Sequence, residues 1–200
     1  MTAQPQHRHR YSIEEYLYLD EASSEKHEYH DGHIYAMAGG SEHHSLIVAK
    51  LIREVGIRLK GSRCRVYDPN LRISIASTAL YTYPDVTVVC GPSEYDSRDL
   101  KKRTVTNPSV LFEVLSPSTE ENDREFKAIN YWQLPSMRHY VLVSQKEARV
   151  EMWTRRSDDA WGPVEVTEGF ESVIELSALG ITLPMSDIYD GVNFAESSAE

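Results

Sequence analysis

The 200-residue chain is long enough for one domain with a hydrophobic core, and its 40% apolar and 26% charged residues are typical of a globular protein. No apolar run approaches the roughly 18 residues that a membrane-spanning helix needs, so no membrane partner is expected. The formal net charge of −10 argues against a protein that grips duplex DNA along many phosphates, because such proteins are usually basic.

The two ends of the chain predict little structure. Residues 1–10 are partly basic and contain no apolar core, so they predict a disordered leader rather than a secretory signal. Residues 194–200 are predicted to be a disordered tail, which leaves a single domain over 11–193. Cys64 and Cys90 lie in or beside predicted strands without C-x-x-C spacing, and they predict free thiols packed as small hydrophobes in a cytoplasmic protein.

The first third of the chain predicts two helices and a hairpin. Ser12 and Glu15 have the spacing of a capping box and predict a helix over about 12–21. An Asp-Gly turn then joins two short alternating segments, which predicts a β-hairpin over 28–37 in which Glu28 and His30 share a face. An apolar stripe predicts a second helix over about 42–60.

The remainder predicts strands interrupted by one further helix. Strands are expected at 65–67, 71–75, 83–90, 109–116, 139–143, 150–154 and 164–167, with a closing segment at 180–185. Residues 76–82 are predicted to be a connection, 91–107 a polar loop, and 119–134 a helix that crosses over between two strands. This order predicts an α/β fold with a mixed sheet, and the crossover would place the third helix over the strands that carry Asp85 and Glu113.

Two carboxylates within this predicted sheet indicate chemistry. Asp85 begins one apolar strand and Glu113 lies in the middle of the next, where a charge is costly to bury unless something compensates it. Adjacent strands, about 4.8 Å apart, would bring both carboxylates to one divalent cation. A ligand set of oxygen atoms favours Mg²⁺ or Mn²⁺ over zinc.

Lys127 completes the predicted catalytic set. It is spaced with Asp123 and Tyr131 at i, i+4 and i+8, so the three side chains should project from one helix face. Two carboxylates and a lysine suit metal-assisted hydrolysis of a phosphodiester. The alternative for Lys127 is a solvated helix lysine paired with Asp123, and Tyr131 is expected to pack between helix and sheet.

Other residues are weaker candidates. Glu28 is either a third acidic group near the metal or an ordinary hairpin residue. His44, near the start of the second helix, either assists the site or has a capping or packing role. Arg53 and Arg58 either contact phosphate or belong to a solvated helix face.

Several motifs together resemble the Uma2 family over about residues 11–190. They are Tyr83-Pro84-Asp85, the segment from Phe112 to Thr119, Asp123, Lys127, Tyr131, the segment from His139 to Val143, the hairpin at 29–37 and His44. The resemblance implies the restriction-endonuclease-like PD-(D/E)xK fold, a central mixed β-sheet flanked by helices, here with an N-terminal helix and hairpin. It also implies that Asp85 is the motif aspartate and Glu113 the second acidic residue.

One position departs from the standard motif. Leu115 stands where a lysine is usual, two residues after Glu113, and the family pattern makes Lys127 the migrated replacement. The resulting hypothesis is a Mg²⁺-dependent endonuclease acting on nucleic acid, with DNA favoured over RNA and a homodimer suited to cutting both strands of a duplex. The alternative is a catalytically inactive nuclease-fold protein that binds nucleic acid or a protein partner. A glycosidase is disfavoured, because its carboxylate pair would not need Lys127.

Overall fold

The computed structural model describes residues 9–37 and 39–194. Most of the predicted leader (1–10) and tail (194–200) lies outside these residues. At the described ends, Arg10 forms an ion pair with Asp31 and the ring of Phe194 contacts the ring of Tyr189.

The three predicted helices are present. The helical segments are α1 (Ile13–Ala22), α2 (Glu42–Arg58), α3 (Glu120–Asn122), a π-helical turn (Asp123–Lys127), α4 (Ala128–Tyr131), a 3₁₀ turn (Ser177–Leu179) and α5 (Met185–Ile188). The capping box of Ser12 and Glu15 forms as predicted. Residues 120–131, referred to below as the crossover helix, are continuous but change to π-helical geometry in the middle. In the described residues, no helix is long and apolar enough to cross a bilayer.

The strands are more numerous than predicted. They are β1 (His27–His30), β2 (His33–Ala36), β3 (Cys64–Tyr67), β4 (Arg72–Ile75), β5 (Leu80–Thr82), β6 (Val86–Cys90), β7 (Thr104–Val105), β8 (Val110–Leu115), β9 (His139–Ser144), β10 (Arg149–Thr154), β11 (Glu165–Glu168), β12 (Val173–Leu176) and β13 (Ile181–Pro184). The predictions of a plain connection at 76–82 and a plain loop at 91–107 are wrong, because β5 and β7 form there. Both strands are too short to show a periodic pattern, and pairing with neighbouring strands creates them.

The strands form two mixed sheets and a separate hairpin. The six-stranded sheet has the order β11-β10-β9-β8-β6-β3, the five-stranded sheet has the order β2-β1-β5-β4-β7, and β12 pairs with β13. Parallel pairing of β8 with β9 and of β4 with β7 makes both sheets mixed. The predicted α/β architecture with a mixed sheet flanked by helices is confirmed.

The six-stranded sheet is covered by helices on both faces. On one face, Leu51 of α2 belongs to the same apolar cluster as Val86 and Phe112. On the other face, Tyr131 of the crossover helix clusters with Leu111. Because side chains alternate along a strand, the neighbours of Phe112 point to the opposite face, and Glu113 is therefore directed toward the crossover helix.

The prediction that both cysteines are free thiols is wrong. Cys64 of β3 lies directly opposite Cys90 of β6, and the two form a disulfide. In the sequence, each cysteine resembles an ordinary small residue of a strand. Their pairing could not be predicted, because it depends on the register of β3 and β6, which is a long-range property of the folded sheet.

Reduction of this disulfide should lower stability. The two cysteines are 26 residues apart in sequence, and the chain-entropy model then gives a loss of about 3–4 kcal/mol in the free energy of unfolding. Urea unfolding with and without a reductant measures this difference. A Cys64→Ala/Cys90→Ala variant serves as the control and should not respond to the reductant. An oxidised wild type that also fails to respond would contradict the prediction.

Candidate active site

A cavity of about 220 Å³ opens at one end of β6 and β8, two inner strands of the six-stranded sheet, where the β1–β2 hairpin, the start of α2 and the crossover helix meet. The acidic and basic side chains lining it are Glu28, His44, Asp85, Glu113, Asp123 and Lys127. The structure therefore brings together the three predicted catalytic residues and both predicted accessory residues, although they come from widely separated parts of the chain.

Asp85 is held by the neighbouring strand. It immediately precedes β6, and since Val86 pairs with Phe112 in the antiparallel ladder, Asp85 lies beside Glu113. Its Oδ2 accepts a hydrogen bond of 2.7 Å from the backbone N–H of Val114. The backbone N–H of Asp85 in turn donates to Glu113 Oε2 at 3.4 Å. The backbone of this strand pair thus fixes both carboxylates side by side.

Glu113 is almost completely buried, with 3% of its surface exposed. Its Oε1 accepts hydrogen bonds from Tyr131 Oη at 2.7 Å and from Lys127 Nζ at 3.2 Å. Burial raises the pKa of Glu113 well above its usual range; Lys127 opposes the shift, whereas the negative charges of Asp123 and Asp85 add to it. The ionised form of this carboxylate is therefore costly unless more positive charge is brought close.

Lys127 is a buried cation surrounded by carboxylates. Its Nζ lies 3.0 Å from Asp123 Oδ1, 3.2 Å from Glu113 Oε1 and 3.7 Å from Glu28 Oε1. Burial alone would lower the pKa of Lys127, but these carboxylates raise it well above its ordinary value. The surrounding carboxylates therefore favour the charged form of the lysine. The alternative of a solvated lysine is wrong, although the pairing with Asp123 that it included is present.

Asp123 and Tyr131 make contacts in the candidate site that the sequence analysis did not predict. Asp123 is buried beside Lys127, and burial raises the pKa of its carboxyl group while Lys127 opposes that shift. Tyr131 packs between helix and sheet as predicted, but its hydroxyl also fixes the orientation of Glu113. The i, i+4, i+8 spacing placed both residues on the face of Lys127, and that signal could have assigned them to the site. The π-helical turn that contains Asp123 and Lys127 is a local geometry often found at functional sites.

The accessory residues lie on two sides of the cavity. His44 is in the first turn of α2, where Ser41 caps the helix, and its Nε2 is 3.1 Å from Asp85 Oδ2. Burial opposes protonation of His44, but the hydrogen bond to Asp85 raises its pKa overall. Glu28 accepts a hydrogen bond from Thr82 and faces Lys127.

Arg53 and Arg58 are not part of this cavity. Arg53 Nε is 2.6 Å from Glu54 Oε1, and Arg58 is 2.5 Å from both Glu54 Oε2 and Asp187 Oδ2. These ion pairs give the two arginines a structural role on α2, and phosphate contacts by them stay a prediction.

The charge and donor set of the cavity fit a magnesium ion. Four carboxyl groups, those of Glu28, Asp85, Glu113 and Asp123, line the cavity with one lysine and one histidine, so ionised carboxylates there outnumber the basic groups and would be stabilised by an added cation. Over the described ranges, no three or more His, Cys, Asp or Glu side chains are already grouped around one point as a metal cluster. Mg²⁺ does not need such a cage, because it is commonly bound by one or two carboxylates with water and phosphate as its other ligands. Asp85 and Glu113 would be those carboxylates.

Related proteins match nearly the whole chain. The sequence profile of the Uma2 family, described as "Putative restriction endonuclease", matches residues 13–186. An uncharacterized protein of Synechocystis (slr1290) is 37% identical over 183 residues, which cover 92% of this chain and 93% of the relative. A second uncharacterized Synechocystis protein (sll1609) is 32% identical over 167 residues, covering 84% and 93%.

A solved structure has the same fold. It is the crystal structure of "a putative nuclease belonging to DUF820" from Anabaena variabilis, with a TM-score of 0.74 and coverage of 92% of this chain and 99% of that chain. At 16% sequence identity this likeness concerns the fold alone. With the match to the family profile over residues 13–186, the chain belongs to the Uma2 family.

Proposed function

We propose that this protein is a metal-dependent endonuclease that hydrolyses phosphodiester bonds of nucleic acid, with DNA favoured as substrate and Mg²⁺ or Mn²⁺ as cofactor. The observation that carries the proposal is the convergence of Asp85, Glu113 and Lys127 in one cavity of a Uma2 family member. The alternative, an inactive nuclease fold that only binds, leaves the grouping of four carboxyl groups in this cavity without a role, whereas a bound cation would stabilise their ionised forms.

In this proposal, Asp85 and Glu113 would hold the metal. When bound, Mg²⁺ lowers the pKa of a coordinated water and stabilises negative charge that develops on the phosphate. The Val114 N–H holds Asp85 in place, and the Tyr131 hydroxyl does the same for Glu113. Such fixed partners reduce the reorganisation that is needed when the reaction occurs.

Lys127 has the role of a charged donor. The surrounding carboxylates raise its pKa and favour its charged form, which suits a role as a cation. From this position it would orient the attacking water or bind a phosphate oxygen. Leu115, at the position where the motif usually has its lysine, belongs to the apolar cluster beneath the crossover helix. Lys127 approaches Glu113 from that helix instead, which supports the assignment of a migrated lysine.

Titration calorimetry with Mn²⁺ tests the proposal on wild type and on Asp85→Asn, with cleavage of plasmid and single-stranded DNA measured on the same preparations. The asparagine can still accept the hydrogen bond from Val114, so the strand pair should keep its structure. We expect Mn²⁺ binding to weaken by at least about tenfold, and cleavage to fall in parallel.

Asp31→Asn is the matched control, because Asp31 lies in the exposed hairpin turn and pairs only with Arg10 among the ion pairs of the described residues. It should bind Mn²⁺ and cleave DNA as the wild type does. A wild type that binds no Mn²⁺, even with nucleic acid present, would refute the catalytic proposal and favour a binding module.

A further inference from the structure

A second cleft, of about 360 Å³, adjoins the catalytic cavity. It lies between the β1–β2 hairpin and the crossover helix, and it shares two lining residues, Glu28 and Asn122, with the cavity. Its remaining lining residues are Tyr29, His30, Tyr35, Leu80 and Phe126, and of these the ring of Tyr29 packs against Tyr16 and Tyr81 on the opposite face of the hairpin. The two spaces are therefore neighbours, separated by no more than the side chains of Glu28 and Asn122.

Strand register explains why rings gather there. Tyr35 of β2 lies directly opposite Glu28 of β1, and His30 is two residues beyond Glu28, so all three project from one face of the hairpin. From the crossover helix, Phe126 meets His30 edge to face, with ring centroids 4.8 Å apart. Tyr35 is 52% exposed although it is a large aromatic residue. The cleft thus presents accessible aromatic surface beside the site of the proposed reaction.

The charge of the protein argues against nucleic-acid binding that depends on many contacts to phosphate groups. The net charge is −10, and several arginines are occupied by ion pairs with carboxylates, among them Arg53, Arg58, Arg98 and Arg124. Stacking of a base on an aromatic side chain contributes about 1–3 kcal/mol and needs no positive charge. Bases within a duplex are already stacked and paired, so this contribution is available to unpaired nucleotides at lower cost.

We infer that the aromatic cleft binds one unpaired nucleobase next to the scissile phosphate, and that single-stranded nucleic acid is the preferred substrate. The inference rests on the proposed nuclease function, because it assigns the neighbouring cavity to the phosphate. The base stacks on the exposed ring of Tyr35 and against Phe126, while the adjoining phosphate enters the cavity past Glu28. The occupant is a neutral aromatic ring, which suits a cleft with one carboxylate at its inner end.

Binding of a fluorescent single-stranded oligonucleotide and of its duplex tests the inference, measured by anisotropy with Ca²⁺ in place of Mg²⁺. Tyr35→Leu keeps an apolar side chain but removes the ring, whereas Tyr35→Phe keeps the ring. We expect Tyr35→Leu to weaken single-strand binding on the order of tenfold and to leave duplex binding unchanged. Tyr35→Phe should bind as the wild type does. Phe126→Leu provides a second test from the opposite wall.

Tyr18→Leu is the control, because Tyr18 is 74% exposed on α1 and does not line the cleft. Equal single-strand binding by wild type, Tyr35→Leu and Phe126→Leu would overturn the cleft assignment, and cleavage by the same wild type would leave the nuclease proposal intact. Loss of single-strand binding in Tyr35→Leu, with a wild type that cleaves nothing in Mg²⁺ or Mn²⁺, would support the base-binding cleft and refute hydrolysis.

Discussion

Lys127→Met should lower the free energy of unfolding by about 3–5 kcal/mol and abolish cleavage. The substitution keeps the length of the side chain but removes the cation that lies within 3.2 Å of both Glu113 and Asp123. Two buried carboxylates then lose their partner, and leaving a buried charge uncompensated is among the most destabilising single changes. Urea unfolding at neutral pH measures the loss.

A double variant separates this mechanism from simple loss of packing. In Lys127→Met/Glu113→Gln, only Asp123 remains as a buried carboxylate that has lost its cation. We therefore expect the double variant to be more stable than Lys127→Met alone. Lys146→Met is the control, because Lys146 is largely exposed and its ion pair with Glu120, at 3.6 Å, should contribute little. A Lys127→Met variant within about 1 kcal/mol of the wild type would contradict the burial argument.

The two carboxylates of the candidate site, Asp85 and Glu113, could be identified from the sequence because their local context is unusual. Burial of an ionisable residue within a run of large apolar residues, as at Glu113, is costly and therefore indicates a function. Asp85, at the start of the neighbouring apolar run, is a second carboxylate that could bind the same cation. Antiparallel pairing of β6 with β8 then placed the two side by side, as expected from their order in the chain. Local pattern and strand adjacency were sufficient for this part of the site.

The features that the sequence did not reveal depend on partners distant in the chain. Arg72 is fully buried between Asp20 and Asp99, which lie in separate segments on either side of it. The disulfide of Cys64 and Cys90 likewise depends on the register of two strands. No local pattern encodes such pairings, because they follow from the completed sheet. The hydroxyl of Tyr131 was missed for another reason, since an aromatic residue on an apolar helix face ordinarily has only a packing role.

Glu113→Gln should separate stability from activity. The glutamine carbonyl can still accept the hydrogen bond from Tyr131, but the charge that would bind the metal is lost, so we expect cleavage to fall on the order of 10²–10³-fold or more. Stability should be unchanged or higher. Burial of the ionised carboxylate is costly, and Lys127 keeps two other carboxylate partners, Asp123 and Glu28.

The pH dependence of stability shows whether burial of the Glu113 carboxylate is costly or whether its ion pair with Lys127 is stabilising, because the two cases predict changes of opposite sign. The pKa of Glu113 is raised in the folded protein, so its contribution to stability is full below its unfolded pKa and is lost as pH rises through the folded pKa. Glutamine resembles the protonated acid at every pH. The stability of the variant relative to the wild type should therefore be smallest near pH 4 and should increase toward neutral pH.

Urea unfolding of both proteins at a series of pH values measures this difference, with Glu175→Gln as the control because Glu175 is exposed on the outer hairpin. The control should match the wild type throughout. A Glu113→Gln variant that is less stable than the wild type at neutral pH would show that pairing with Lys127 outweighs the cost of burial. An equal or more stable variant without activity would mean that Glu113 is kept ionisable at the expense of the fold, as expected for a metal ligand and not for a structural residue.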